Sequence, residues 1–482
     1  MADKITQNGN GKPVLAFLTS HWLSVIGSSL VTIAGCSWLL MLPLHAGGRV
    51  GNPYLGILIF FVIPAIFFLG LALIPVGAYL ARRRIQAGLA TAPDRRVTLR
   101  RLAYFFGAMT VVNIVIGSQV TYRAVAQMET DQFCGQSCHV MKPQFLANQR
   151  SPHRSVGCVD CHIVPGAAGF VAAKMNGTHQ MLLVAMNSFP RPVPPALASG
   201  KLASSPETCE TCHSRSIESG SRLRILSKFK DDETNTPIQT VLMMNVGGGR
   251  LGGIHGAHMG PGVEIRYKAS DPQRTTIPWI EYRNSNTNQT RTYTAAGAKD
   301  PGGEGFLMEC ADCHNRQGHS FEQPDEAVDN AMAAGQIPAT LPFAHKTGIE
   351  VLKASYVDEA DAMKKIPVAF AAFYQQKYPD VAGKQRADID KAGQALVELY
   401  SRNVFPDLGV KWGTYSNNLG HPDNAGGCFR CHDESHTAPA TSTSPKKTIT
   451  QDCNTCHQPL AVEETSPEVL KTLGLVSSAQ KP

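Results

Sequence analysis

Five segments of the chain repeat one pattern, a thiol, two intervening residues, a second thiol and an adjacent imidazole. They are Cys158-x-x-Cys161-His162, Cys209-x-x-Cys212-His213, Cys310-x-x-Cys313-His314, Cys428-x-x-Cys431-His432 and Cys453-x-x-Cys456-His457. A sixth, Cys134-x-x-x-Cys138-His139, is longer by one residue, and the six together use every one of the 13 cysteines except Cys36. At these Cys and His frequencies chance gives on the order of 0.01 copies of CxxCH, so the repetition carries chemistry. Two thiols three or four positions apart can each bond a vinyl-derived carbon on one porphyrin edge, and the next imidazole is then held against the iron. Zinc could treat the pairs at 158/161 and 209/212 as a four-cysteine site, but zinc does not require His after every second Cys. The pattern therefore predicts six covalently bound c-type haems, with His139, His162, His213, His314, His432 and His457 as proximal ligands.

Haems that only pass electrons need a second strong axial ligand, and in crowded multihaem chains this is usually histidine. The chain has 16 histidines. Six lie in the motifs, and His21 and His45 flank the first apolar run, where they are read as interfacial residues rather than ligands of a b-type haem or quinone contacts. Of the remainder, His153, His258, His345, His421 and His436 are the expected distal ligands and His179 and His319 further candidates, while His255 ranks behind His258 as a competitor for one pocket. Met141, two residues after His139, is the alternative ligand at the first motif; packing is the commoner role of a methionine. Cys36 reads as a small packing residue.

These motifs must be carried by very different elements, because the apolar residues are concentrated in the first quarter of the 482-residue chain. Apolar runs at Trp22 to Leu42, Tyr54 to Leu80 and Leu102 to Tyr122 are each long enough to cross a bilayer as a helix of about 20 residues. A cleaved signal peptide is the other reading of the first, but it is long, lacks a small-residue cleavage site and is followed by two more spans. The loop between runs two and three carries Arg82, Arg83, Arg84, Arg95, Arg96, Arg100 and Arg101 against one acid, Asp94, whereas the preceding loop has only Arg49. The Arg-rich loop is therefore expected on the cytoplasmic side, which places the N-terminus inside and everything after Tyr122 outside, where c-type haem is attached. The net charge of +7 is no nucleic-acid footprint, since the propionates of six haems bring the loaded protein near neutrality.

The expected fold class is mainly α: a three-helix transmembrane anchor followed by a periplasmic multihaem region of short helices and loops with a small antiparallel β insert. Residues 1–123 form the anchor and 124–215 hold motifs one to three, where haem replaces a side-chain core. Residues 216–308 are a Gly-rich and β-rich insert, with strands expected at Val263 to Ser270, Thr275 to Arg283 and Gln289 to Ala295. Residues 309–410 hold motif four and helical patterns at Val351 to Tyr356, Val368 to Tyr374 and Ile389 to Tyr400. Residues 411–482 hold motifs five and six, joined by a linker at Thr437 to Ile449 expected to be mobile, with one helix after Ser466.

The run from the third span through Phe133-Cys134 to Met141, Ser151-Pro152-His153, Cys158-Val159-Asp160-Cys161-His162 and Lys174 resembles the NapC/NirT/NrfH family of membrane-anchored multihaem quinol dehydrogenases, over roughly residues 102–215. The resemblance implies that the first haem accepts electrons from quinol, that Met141 can ligate it, that His153 ligates another haem, and that Lys174 lines the quinol pocket. The Cys-His-Asn-Arg stretch after Cys310 and the segment from Gly427 to His436 are similar to larger inner-membrane relatives associated with electron export. Three features depart from the family pattern: the extra residue in the first motif, the missing acid after Lys174 in 175–182, and three spans rather than one.

The expected function is that of a bacterial inner-membrane hexahaem cytochrome that takes electrons from menaquinol or ubiquinol and passes them to periplasmic acceptors. The alternatives are an electron-wiring subunit fed by a partner membrane protein and, from another class, a terminal multihaem reductase, which would need a haem with an open pocket. The expected partners are the quinol pool, periplasmic c-type cytochromes or reductases, the lipid bilayer and, in an oligomer or complex, further subunits; no nucleic acid is expected.

Overall fold

A computed structural model describes residues 21–46, 62–89, 95–137, 139–196, 202–214, 217, 220–250, 252–421, 426–440 and 445–475. Cys138, Asp94, Arg49, the start of the second expected span at 54–61 and the linker residues 441–444 lie outside them, as do the side chains of His45 and His139. The chain divides into two compact units, Met1–Ser137 and Cys138–Pro482.

The first unit contains helices α1 (Trp22–Ala46), α2 (Ile63–Gln86) and α3 (Arg95–Met128). All three are long and apolar enough to cross a membrane, and the chain is a membrane protein. Without water to expel, membrane helices gain by close backbone approach, and α1 and α2 do so through small residues. A Cβ on Gly27 would come within 2.7 Å of the Gly70 carbonyl oxygen, and one on Gly70 within 2.7 Å of that of Gly27. Ser24 completes the crossing by donating its hydroxyl to the Ile74 carbonyl at 3.0 Å. The unit ends in a π-helical turn, Phe133–Ser137. Such a turn takes one residue more than an α turn, and this one coincides with the motif that carries the extra residue.

The second unit starts with short helices α4 (Lys142–Asn148) and α5 (Cys158–His162), then the longer α6 (Ala167–Ala185), on which no residue is buried. A 19-residue helix with no buried side chain fits a region whose core is not made of protein.

Two antiparallel sheets follow. Strands β1 (Ser221–Phe229) and β2 (Pro237–Asn245) form a hairpin that leads through helix α7 (Gly253–Met259) to β3 (Val263–Lys268), β4 (Trp279–Asn284), β5 (Gln289–Thr294) and β6 (Phe306–Leu307). Strands β3, β4 and β5 meet the three expected strands within a few residues, while the β1–β2 hairpin and the short β6 were not expected from alternation. Further on, helix α8 (Cys310–Cys313) precedes a helical block: α9 (Pro324–Ala333), α10 (Ala344–Lys353), α11 (Glu359–Lys377), α12 (Pro379–Lys384) and α13 (Arg386–Asn403). This block has an ordinary side-chain core, with Val328, Leu352, Ile366, Phe370, Tyr374 and Leu396 fully buried.

The C-terminal segment is woven into the β insert. Strands β7 (Thr437–Ala438) and β8 (Lys447–Thr448) extend the larger sheet, whose order is β6-β3-β4-β5-β7-β8. The stretch expected to be a mobile linker is thus sheet at both ends, because Thr437 pairs with Thr294 and Thr448. After α14 (Cys453–Cys456), strand β9 (His457–Glu464) completes the smaller sheet, β1-β2-β9, and α15 (Glu468–Thr472) is the helix expected after Ser466.

Candidate haem sites

Each described motif makes one tight turn. Backbone N–H groups of His213, His314 and His432 donate to the carbonyls of Cys209, Cys310 and Cys428 at 2.8, 2.8 and 3.0 Å. That bond turns both cysteines of a motif to one side, as two-point attachment to a porphyrin edge requires. Acidic side chains fix two of the turns from their N-terminal ends: Asp160 accepts from the Gly157 N–H at 3.0 Å and Asp312 from the Glu309 N–H at 2.8 Å.

Five motif histidines each face a second imidazole from elsewhere in the chain. Ring centroids are 5.9 Å apart for His162 and His319, 6.1 Å for His213 and His153, 6.0 Å for His314 and His255, 5.8 Å for His432 and His258, and 6.3 Å for His457 and His421. A metal bound by one nitrogen of each ring at about 2 Å separates the two ring centres by about 6 Å. The five spacings therefore fit a six-coordinate iron between each pair, and the donors are of the kind that haem takes.

The far ring nitrogens support this arrangement. Nδ1 of His258 lies 2.6 Å from the Ile254 carbonyl, that of His432 2.8 Å from Thr450 and that of His153 3.3 Å from Gln317. An N–H held by a carbonyl leaves Nε2 unprotonated and directed at the partner ring. Burial lowers the pKa of His162; it does the same at His314 with help from His255 and His213, and at His258 against the bond to Ile254. At His319, burial and then the charges of His162 and Arg316 push the value down to about 4. Neutral rings keep the lone pair that a metal needs.

His345 and His436 stand in another kind of surrounding. His436 is 1% exposed, with Nδ1 at 2.7 Å from Asp433 and Nε2 at 2.6 Å from the Ile277 carbonyl, so both nitrogens are occupied by protein. Nδ1 of His345 is 2.8 Å from Asp231, and its Nε2 sits 3.1 Å from Asp329, near enough to attract but off the line of a good hydrogen bond. Among the described residues, neither ring nor that of the exposed His179 meets a motif histidine. His255, ranked behind His258 on sequence, does meet one; a helical i, i+3 spacing that sends two rings to different partners was the available signal. Met141 is half-buried at the N-terminus of α4. Lys174 lies on α6 with its ammonium 5.0 Å from the centre of the Phe170 ring.

Motifs two to six also lie close to one another in chain order. Burial pushes the Cys161 thiol up, and Cys209 and Cys212 are close enough to add to the effect. Cys209 hydrogen-bonds with Cys310. Burial, opposed by Arg430 and reinforced by Cys313, holds the Cys431 thiol up at about 12, and Cys428 adds to the upward shift at Cys456 that burial begins. Motif two thus adjoins three, three adjoins four, four adjoins five and five adjoins six. The sheets take part in this, since Cys431 packs on the core of Ile265, Tyr267 and Ile280 and β9 opens on His457 itself, opposite Met244 of β2.

Residues 97–225 match the N-terminal region of the NapC/NirT cytochrome c family. The cytochrome c-type protein ImcH of Geobacter sulfurreducens is 33% identical over 455 residues, covering 90% of this chain and 87% of the relative. No solved structure matches the chain.

Proposed function

Because the chain belongs to the NapC/NirT cytochrome c family, we propose that this membrane-associated electron-transfer cytochrome carries six covalent haems, oxidises membrane quinol and delivers the electrons to periplasmic acceptors. The observation that carries this reading is the set of five paired imidazoles at 5.8–6.3 Å, each pair joining a CxxCH motif to a distant histidine. When bound, haem supplies iron that cycles between ferric and ferrous states and takes one electron at a time. The chain's own part is to hold that iron at both faces. His153, His319, His255, His258 and His421 serve as the distal ligands of motifs three, two, four, five and six, and His345 and His436 keep structural roles. Cys134, Cys138 and His139 hold the first haem, with Met141 as its alternative ligand. Imidazole on both faces excludes small oxidants, which argues against a terminal reductase.

Electrons enter at the N-terminal end of the motif series and leave at the C-terminal end. The Arg-rich segment between α2 and α3 supports a cytoplasmic loop there, hence a periplasmic motif region at the bacterial inner membrane. Lys174 binds a quinol oxygen or assists proton release. The second reading, a wiring subunit fed by a partner membrane protein, is favoured by the absence of any acid in residues 175–182 beside that lysine.

Adding menaquinol to the purified protein in lipid nanodiscs decides between them. Reduction of the haem absorption bands without any partner is expected, whereas a spectrum that stays oxidised with menaquinol but reduces fully with dithionite would favour the wiring subunit. In the same preparation K174A should slow reduction by menaquinol about tenfold or more, as loss of a charged hydrogen bond does, with the dithionite-reduced spectrum unchanged.

A further inference from the structure

The two histidines of the Gly-rich stretch lie on one short helix and look at different motifs. His255 and His258 are three positions apart on α7, so their rings leave the same side of the helix about one turn from each other. His255 faces His314 of motif four at 6.0 Å with ring planes at 45°, and His258 faces His432 of motif five at 5.8 Å with planes at 58°.

The loop before the helix is built to turn the chain back on itself. Gly247 has φ +64°, and a Cβ there would fall 2.8 Å from the Gly253 Cα, so only glycine fits. Gly248 N–H then donates to the Gly252 carbonyl at 3.0 Å and His255 N–H to the Val246 carbonyl at 2.9 Å, which tie the helix to the end of β2.

The same two motifs are also joined directly. Arg430, between the cysteines of motif five, donates to the carbonyl of Asp312, inside motif four, at 2.8 Å and to that of Arg274 at 2.9 Å. Asp312 is 3% exposed, and its side chain accepts from Arg274 at 3.1 Å and from the Tyr267 hydroxyl. Asn418 donates to the Asp312 carbonyl at 2.9 Å.

We propose that α7 is a double-ligand clip: His255 is the distal ligand of the haem held by Cys310, Cys313 and His314, His258 that of the haem held by Cys428, Cys431 and His432, and Arg430 ties the two motifs to each other directly. The proposal rests on the haem reading above and assigns two distal positions to a single rigid element. A change at either ring is therefore transmitted to both centres, which titrate as a coupled pair.

The test uses the full-length protein with all haems attached, confirmed by intact mass, and titrates it with dithionite, so that it is independent of quinol. H255M and H258M are each expected to remove one bis-histidine low-spin centre in near-infrared magnetic circular dichroism, and the double variant two. The altered centre rises in potential where Met binds the iron, and the potential of its neighbour moves with it. For a variant that accumulates poorly, H255G or H258G supplemented with imidazole should regain the lost low-spin signal. A double variant that loses only one centre, or a single variant that loses none, would overturn the clip.

Discussion

At the scale of single residues, the histidines that face a motif imidazole differ from His436 in the occupation of the second nitrogen. His258 and His153 rest one nitrogen against a carbonyl, while His436 is held at both. His345 shows the consequence of a carboxylate environment: burial alone would lower its pKa, but Asp329 and Asp231 outweigh burial and raise it. A group whose folded-state pKa is raised contributes stability that is fully present below its unfolded value and lost as the pH rises through the folded one. Opening of the α10 region, followed by amide exchange, should become easier as the pH rises from the unfolded value through the folded one, and H345Q should remove this dependence; an unchanged pH profile in H345Q would show that the imidazole contributes no charge. Ring orientation offers a second check. Nearly parallel imidazoles split the iron orbitals that perpendicular ones leave close in energy, so the His162–His319 site at 26° should give a rhombic electron paramagnetic resonance signal and the His153–His213 site at 71° a highly anisotropic one. The six Cys-His motifs could be read from spacing, because that pattern is local. The distal partners could not, since His319 and His162 are far apart in sequence and only the fold brings them together.

Among the elements, two ways of filling space coexist in the second unit. Helix α6 buries no side chain, whereas α9, α10, α11 and α13 enclose Phe370, Tyr374, Leu352 and Leu396. The helical block should therefore respond to packing changes as an ordinary protein does. Phe370→Ala is expected to cost about 3–5 kcal/mol locally, seen as faster amide exchange across 324–404, with the haem spectra unaltered; a loss of low-spin signal instead would mean that the block supports the haem ligands directly. Helices α11 and α13 were legible because apolar residues recur there at helical spacing, whereas the pattern at 351–356 is helical only to Lys353, where α10 ends; β3, β4 and β5 were legible because β-branched and aromatic residues sit between Asp-Pro and Asn-rich turns. The β1–β2 hairpin was not legible. Ser221 and Ser227 break up the apolar face of β1, Leu226 interrupts its basic face, and the third strand, β9, comes from more than 200 residues away.

For the molecule as a whole, the three spans followed from hydropathy alone and correspond to α1, α2 and α3, while the packing of α1 on α2 through Gly27 and Gly70 is a matter of shape that hydropathy does not record. The motifs lie next to one another from the second to the sixth in chain order, the arrangement that the proposed electron path requires. The central claim is that five motif histidines share their irons with five histidines from elsewhere in the chain. Near-infrared magnetic circular dichroism of the fully oxidised protein, calibrated against its covalent haem content, counts such centres directly. The account predicts five bis-histidine low-spin haems from motifs two to six, whatever the ligand of the first; fewer than five, with high-spin iron making up the difference, would contradict it.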